Sequence, residues 1–220
     1  MQWRHKYDDL LASVPLAIWY LLAVRNQWPL WHIQFNGPFT FLSSLRIISE
    51  ISFICYALLL VIILPFRIPT IGKACGLLPR VDAFLGTLFS VGLIWLRPVE
   101  LSVSMQLVVA ILLVCGNVLT IAVLFYLGRS FSVMPEARQL VTTGPYTFIR
   151  HPLYASEMFY IIGGMLQFAQ PWAAVIVTVQ CWFQLRRMKN EERVLRLAFP
   201  AYGSYALRTP RLIPRIFRWS

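Results

Sequence analysis

The sequence predicts an all-α, polytopic helical membrane protein, and three observations carry that expectation. Of the 220 residues, 58% are hydrophobic and only 13% charged, and the mean hydropathy is +0.64. Long runs with little or no charge recur along the chain, at residues 10–24, 47–64, 83–96, 101–127 and 158–185. The charge is lopsided, with 20 Lys and Arg against 9 Asp and Glu. In a soluble protein that excess would point to nucleic acid, but beside apolar runs it reads as membrane topology.

The first run ends at Arg25 without a small-residue cleavage site, so it is expected to stay as a span rather than leave as a signal peptide. The runs at 47–64 and 101–127 have the roughly 20 residues that a bilayer core of about 30 Å requires. The run at 83–96 is short. The last run, 158–185, carries Gln170-Pro171 near its middle. Proline interrupts the helical ladder, so this segment is either one kinked span or a hairpin of two, giving five to six spans in all.

Charge placement separates the two. With six crossings and both termini cytoplasmic, 17 of the 20 Lys and Arg fall on the cytoplasmic side, leaving Arg25, Arg46 and Arg97 outside. With five crossings the nine basic residues from Arg186 to Arg218 change sides and the bias is lost. A hairpin is therefore expected at the end of an integral, multi-pass chain in the plasma or inner membrane or the endoplasmic reticulum. No internal repeat is present, and the chain reads as one integrated unit, with a four-span region over 1–127 followed by a core over 128–220.

Cys55, Cys115 and Cys181 lie in apolar runs and Cys75 in a loop, without metal-site or redox spacing, so buried structural thiols and no metal are expected. Two polar segments flank the hairpin, "GRSFSVMPEARQLVTTGPYTFIRHPLY" and "RRMKNEERVLRLAFPAYGSYALRTPRLIP". Gly144-Pro145 is a turn signal, and His151-Pro152 opens a helix with proline where a missing N–H costs least. Arg187 and Glu191 are four apart, as are Glu192 and Arg196, so each pair shares a helix face. Tyr146, Tyr154, Tyr202 and Tyr205 fit either a site or an interfacial aromatic belt. Glu157, Glu50 and Glu100 are ionisable groups near membrane depth. The C-terminal "ALRTPRLIPRIFRWS" is basic and amphipathic, with Phe217 and Trp219 suited to a headgroup layer.

The ordered set "LVTTGPYTFIRHPLY", "RRMKNEERVLRLAFPAYGSY" and "TPRLIP" resembles the isoprenylcysteine carboxyl methyltransferase family and its phospholipid-methyltransferase relatives, over about 90 residues from Gly128 to Pro214. The resemblance implies S-adenosylmethionine as methyl donor, held in a cytoplasmic pocket made by the two polar segments. It places Arg138, Gln139, Leu140, Val141, Tyr146, His151, Pro152, Leu153, Tyr154 and Glu191 at the donor. Arg187 stands toward the methyl acceptor, so that Arg187 and Glu191 form the catalytic pair. Eukaryotic members tend to have histidine where Arg138 stands. The glycine-rich loop of soluble dinucleotide-binding folds is absent from the sequence. The implied acceptor is lipophilic, enters from the bilayer and presents a carboxylate of the isoprenylcysteine type. A phospholipid amine or a small thiol is the alternative acceptor, and an NADPH-dependent membrane reductase is the alternative class. The expected partners are the membrane lipid and this acceptor, with no nucleic acid.

Overall fold

The computed structural model describes residues 14–15, 17–22, 24–25, 40–168 and 170–214. Arg4, Lys6, Phe217, Trp219 and part of the run at 10–24 lie outside the described residues. Six helices follow residue 40: α1 (Phe41–Ile63), α2 (Leu78–Leu88), α3 (Val103–Leu127), α4 (Pro152–Met165), α5 (Trp172–Ala198) and α6 (Tyr202–Arg208). The expected all-α class holds, with one addition, a two-residue antiparallel ladder of β1 (Gly72–Lys73) and β2 (Glu136–Ala137).

Local chemistry explains several boundaries. Thr40 caps α1, its hydroxyl accepting from the Ser43 amide while Ser43 Oγ accepts from the Thr40 amide. Pro152 takes the first position of α4, where its missing N–H costs no bond. The run at 158–185 breaks where proline interrupts it: α4 ends at Met165, and Pro171 is the N-cap of α5. These two helices form an antiparallel hairpin. His151 meets Glu192, Glu157 meets Gln184 and Met158 meets Cys181, so the paired numbers rise on one helix as they fall on the other.

Two helices, α1 extended to Phe66 and α3 extended to Ser130, have the length and apolar composition to cross a membrane. The short run at 83–96 takes a different form. Helix α2 gives way at Phe89 to a 3₁₀ segment, Phe89–Trp95. Gln180 of α5 receives the Ser90 amide at 2.8 Å and donates to the Gly86 carbonyl at 2.7 Å, satisfying the backbone at the transition. The 3₁₀ geometry rises faster per residue, so residues 78–95 reach about 30 Å where an 18-residue α-helix would reach about 27 Å.

Helix α3 packs along α1 and α4, and α2 packs along α5. Small residues permit the closest approach. A Cβ on Gly116 would lie 2.7 Å from the Tyr160 backbone nitrogen of α4. Polar pairs fix the register: Asn117 donates to Ser52 Oγ at 3.0 Å and Thr120 to Ser156 Oγ at 2.9 Å. One core, around Leu60, Leu124, Phe131, Tyr146 and Leu153, lies under the polar loops, and Ala17 and Tyr20 pack against it. A second, around Leu93, Ile161, Ala173 and Val177, lies toward the other end.

The thiols do not match expectation. Cys55, Cys75 and Cys115 are exposed and Cys181 is half-buried, all of them free. An apolar run is apolar on every side of its helix, and Cys55 and Cys115 sit on faces turned away from the protein.

Candidate functional site at one end of the bundle

Polar loops distant in sequence converge at one end. The α1–α2 connection zips onto the segment after α3, where Ile68 N donates to Arg129 O at 3.0 Å, Ile71 N to Ala137 O at 2.7 Å and Ala74 N to Pro135 O at 3.0 Å. The segment after α6 lies over the start of α4, through Arg150 N to Pro210 O at 2.9 Å and His151 N to Arg211 O at 3.1 Å. At the opposite end Val99 N donates to Gln167 O at 3.0 Å, joining the far loops.

A pocket opens among the converged loops. Its lining includes Arg138, Gln139, Leu140, Val141, Tyr146, His151, Leu153, Tyr154 and Glu191, which are the expected donor-side residues apart from Pro152. Pro152 is buried behind them at the first position of α4. Arg187 does not line this pocket, and is buried one helical turn before Glu191 on α5.

The GPY turn shapes the pocket wall. Gly144 has φ +59, and a Cβ there would fall 2.3 Å from the Tyr126 ring. Only glycine meets both demands. The following 3₁₀ turn buries Tyr146, whose carbonyl accepts from Tyr205 Oη at 2.7 Å. Burial raises the Tyr205 phenol to about 12 and pushes that of Tyr146 higher still, so both stay neutral hydrogen-bonding groups.

Two glutamates divide the charge. Glu191 Oε1 accepts from Tyr154 Oη, and Arg187 Nε donates to the same oxygen at 3.2 Å. The Arg187 guanidinium also lies 5.0 Å over the Tyr154 ring and donates to Thr87 Oγ1 at 2.8 Å. This is a buried network rather than a surface i, i+4 pair. Glu192 faces the other way, toward His151 Nε2 at 3.1 Å, Arg150 Nη2 at 3.5 Å and Arg211 Nη2 at 2.7 Å. Burial alone would raise its carboxyl, but His151, Arg211 and Arg150 together hold it down at about 2. The expected Glu192–Arg196 face pair is thus displaced. Arg196 lies 6.0 Å over the Tyr202 ring instead.

Arg138 is buried, with Nη2 2.7 Å from Glu136 Oε2 and Nη1 donating to Ile68 O, so it ties the ladder to the pocket floor. Its neighbour Gln139 accepts from Ser130 Oγ at 3.4 Å. Arg150, which the sequence did not single out, and Tyr202 and Tyr205, which it left between a site and a belt, all line the pocket. The burial of all four tyrosines excludes the interfacial-belt alternative. Arg150 Nε and Tyr202 Oη are buried without a hydrogen bond of ordinary geometry to any described residue. Among the described residues no group of His, Cys, Asp or Glu has metal-site geometry.

Fold and site together define a helical, membrane-type protein with a polar, charge-divided pocket at one end of its bundle. Residues 108–197 match the family model described as "Isoprenylcysteine carboxyl methyltransferase (ICMT) family". Nickel-cobalt-cadmium resistance protein NccN of Alcaligenes xylosoxydans xylosoxydans is 34% identical over 82 residues, 37% of this chain and 38% of that protein. Cobalt-zinc-cadmium resistance protein CzcN of Cupriavidus metallidurans is 37% identical over 78 residues, 35% and 36% of the two chains. Protein-S-isoprenylcysteine O-methyltransferase B of Arabidopsis thaliana is 30% identical over 110 residues, 47% and 56% of the two. The chain therefore spans between about a third and just over half the length of these relatives.

Proposed function

We propose that the protein is an S-adenosylmethionine-dependent methyltransferase that esterifies the carboxylate of a lipid-tailed, isoprenylcysteine-like acceptor. The observation that carries this reading is the adjacent placement of Glu191 and Arg187, a carboxylate on the pocket wall and a buried guanidinium just behind it. The family match and the name of the Arabidopsis relative support it.

The pocket fits such a donor on its own chemistry. Glu191 supplies negative charge for a sulfonium, and Arg150 Nε and Tyr202 Oη have hydrogen bonds left to make with a polar ligand. Residues 138–141, His151 and Tyr154 would surround the rest of it. When bound, S-adenosylmethionine supplies an electrophilic methyl whose C–S bond breaks as the acceptor's O–C bond forms.

The chain's own task is positioning. Arg187 would turn the acceptor carboxylate toward the pocket by paired hydrogen bonds, while Glu191 and Tyr154 hold the guanidinium in place. A carboxylate is already nucleophilic, so no base need remove a proton. Burial beside the membrane strips water from that carboxylate and strengthens its attraction to a cationic donor.

In this reading the converged end faces the cytoplasm. Six crossings, with both termini on that side, place Arg67, Lys73, Arg80, Arg129, Arg138 and Arg150 there. The four-span region and the core from residue 128 work as one unit, and the acceptor enters sideways from the lipid.

Calorimetry on detergent-purified protein with S-adenosylmethionine and with NADPH tests the reading, with His151→Ala and Glu191→Ala beside it. Donor binding that is lost in both variants is expected. Binding of NADPH alone would assign the chain to reductive chemistry instead.

A further inference from the structure

The C-terminal third of α5 carries a second concavity that shares no lining residue with the donor pocket. It is a cleft of about 350 Å³, lined by Lys189, Glu192, Arg193, Arg196, Leu197 and Arg211. Positions 189, 193 and 196 follow the helical period, so their side chains form one stripe, and all three are exposed. Four cations here meet one carboxylate, and Arg211 already holds both oxygens of that carboxylate. The side chains of Lys189 and Arg193 make no hydrogen bond or ion pair among the described residues, while Arg196 rests 6.0 Å over the Tyr202 ring. Like charges one turn apart disfavour a helix, so the fold gains nothing from placing Lys189 and Arg193 together.

The cleft also stands close to the lipid. Helix α5 is uncharged from Trp172 to Leu185, and near the end of that stretch Trp182 is exposed with the Arg186 guanidinium 4.9 Å from its ring centroid, a pairing suited to the headgroup level. Lys189 begins about two turns, roughly 10 Å, beyond Trp182. Side chains lean toward the N-terminus of their helix, which for α5 is the direction of the uncharged stretch, so the stripe reaches back toward the headgroups. Leu197 on the cleft wall is 83% exposed, and Ile213, two residues after Arg211, is 79% exposed. A soluble anion would leave that apolar surface in water, whereas the glyceride and acyl chains of a lipid cover it.

We infer that this cleft binds the headgroup phosphate of an anionic phospholipid, with Lys189 and Arg193 donating to its oxygens and Leu197 against the glyceride. The site goes beyond the proposed methyl transfer and does not depend on it. Ammonium and guanidinium groups hold phosphate oxygens by charge-assisted hydrogen bonds. A choline headgroup would bring a further cation to the four already present, so the cleft discriminates by net headgroup charge.

The test titrates full-length protein in a non-ionic detergent with dioleoylphosphatidylglycerol and with dioleoylphosphatidylcholine, whose acyl chains are the same, and reads bound lipid by native mass spectrometry. Wild type should bind the anionic lipid at least about tenfold more tightly than the zwitterionic one. Lys189→Ala with Arg193→Ala should cut that preference at least about fivefold. Arg80→Ala with Arg208→Ala removes two exposed charges outside the cleft, and should leave the preference within about twofold of wild type. The preference is a ratio read within each variant, so the amount of folded protein does not affect it. No preference in wild type, or equal losses in the two double variants, overturns the inference, the second outcome by assigning the attraction to charge spread over the surface. Displacement of the lipid by equimolar glycerol 1-phosphate would assign the cleft to a soluble phosphate compound and overturn the lipid assignment.

Discussion

Arg211 grips both carboxylate oxygens of Glu192, with Nε 2.9 Å from Oε1 and Nη2 2.7 Å from Oε2. The pair joins the segment after α6 to the C-terminal third of α5, the helix that carries Glu191. Arg211→Ala should loosen that strap and lower donor affinity several-fold, at a stability cost of about 1 kcal/mol because Arg211 is partly exposed. Glu192→Ala should cost more, about 3–5 kcal/mol, because it leaves the buried His151 and the half-buried Arg150 without their carboxylate. Thermal unfolding in detergent and calorimetry with S-adenosylmethionine measure the two effects.

Acid should act through the same residue. The Glu192 carboxyl has a folded value of about 2 against an ordinary value of 4.5. Its stabilising contribution is therefore complete above pH 4.5 and is lost as the pH falls from there toward 2. The melting temperature should drop across that window, and Glu192→Gln should flatten the drop. A variant profile as steep as wild type would assign the acid sensitivity to other groups.

Arg187 donates in two directions at once, through Nε to Glu191 and through Nη1 to Thr87. Lysine offers a point charge without that fork. Arg187→Lys should lower kcat/KM about 10- to 100-fold while donor affinity changes by less than about tenfold. Steady-state kinetics beside donor calorimetry separates the two, and equal losses in both would move Arg187 to the donor side.

Gly144 is set by a positive φ and by the Tyr126 ring. Gly144→Ala should cost about 1–3 kcal/mol and weaken donor binding, since the turn positions Tyr146. Adding Tyr126→Ala should recover only part of the loss, because it removes the clash and leaves the backbone strain.

Proline and glycine made much of this legible from sequence. His151-Pro152 marks the start of α4, Pro171 ends the hairpin turn, and Gly144 opens the 3₁₀ turn, each through a local constraint on φ or on an N–H. Of the ten residues the polar motifs were expected to bring to the donor, nine line one pocket, and Pro152 does not. What escaped depends on partners far away in the chain. Gln180 stabilises the 3₁₀ segment from about 90 residues downstream, and no window around 83–96 contains that information. The Glu192–Arg196 spacing was sound as helix geometry, but His151 and Arg211 reach the carboxylate from other segments and win it. Arg150 reads in the sequence as one more cytoplasmic charge, and only the folded strap shows it turned inward.

The strap also fixes an order of events in the life of the chain. Tyr202, Tyr205 and Arg211 leave the ribosome after helices α1 to α5, yet two of them line the pocket and the third holds Glu192 behind it. A nascent chain can thus complete helices α1 to α5 and still lack a finished pocket. Whatever binds in that pocket therefore depends on the polar segment that carries Tyr202, Tyr205 and Arg211.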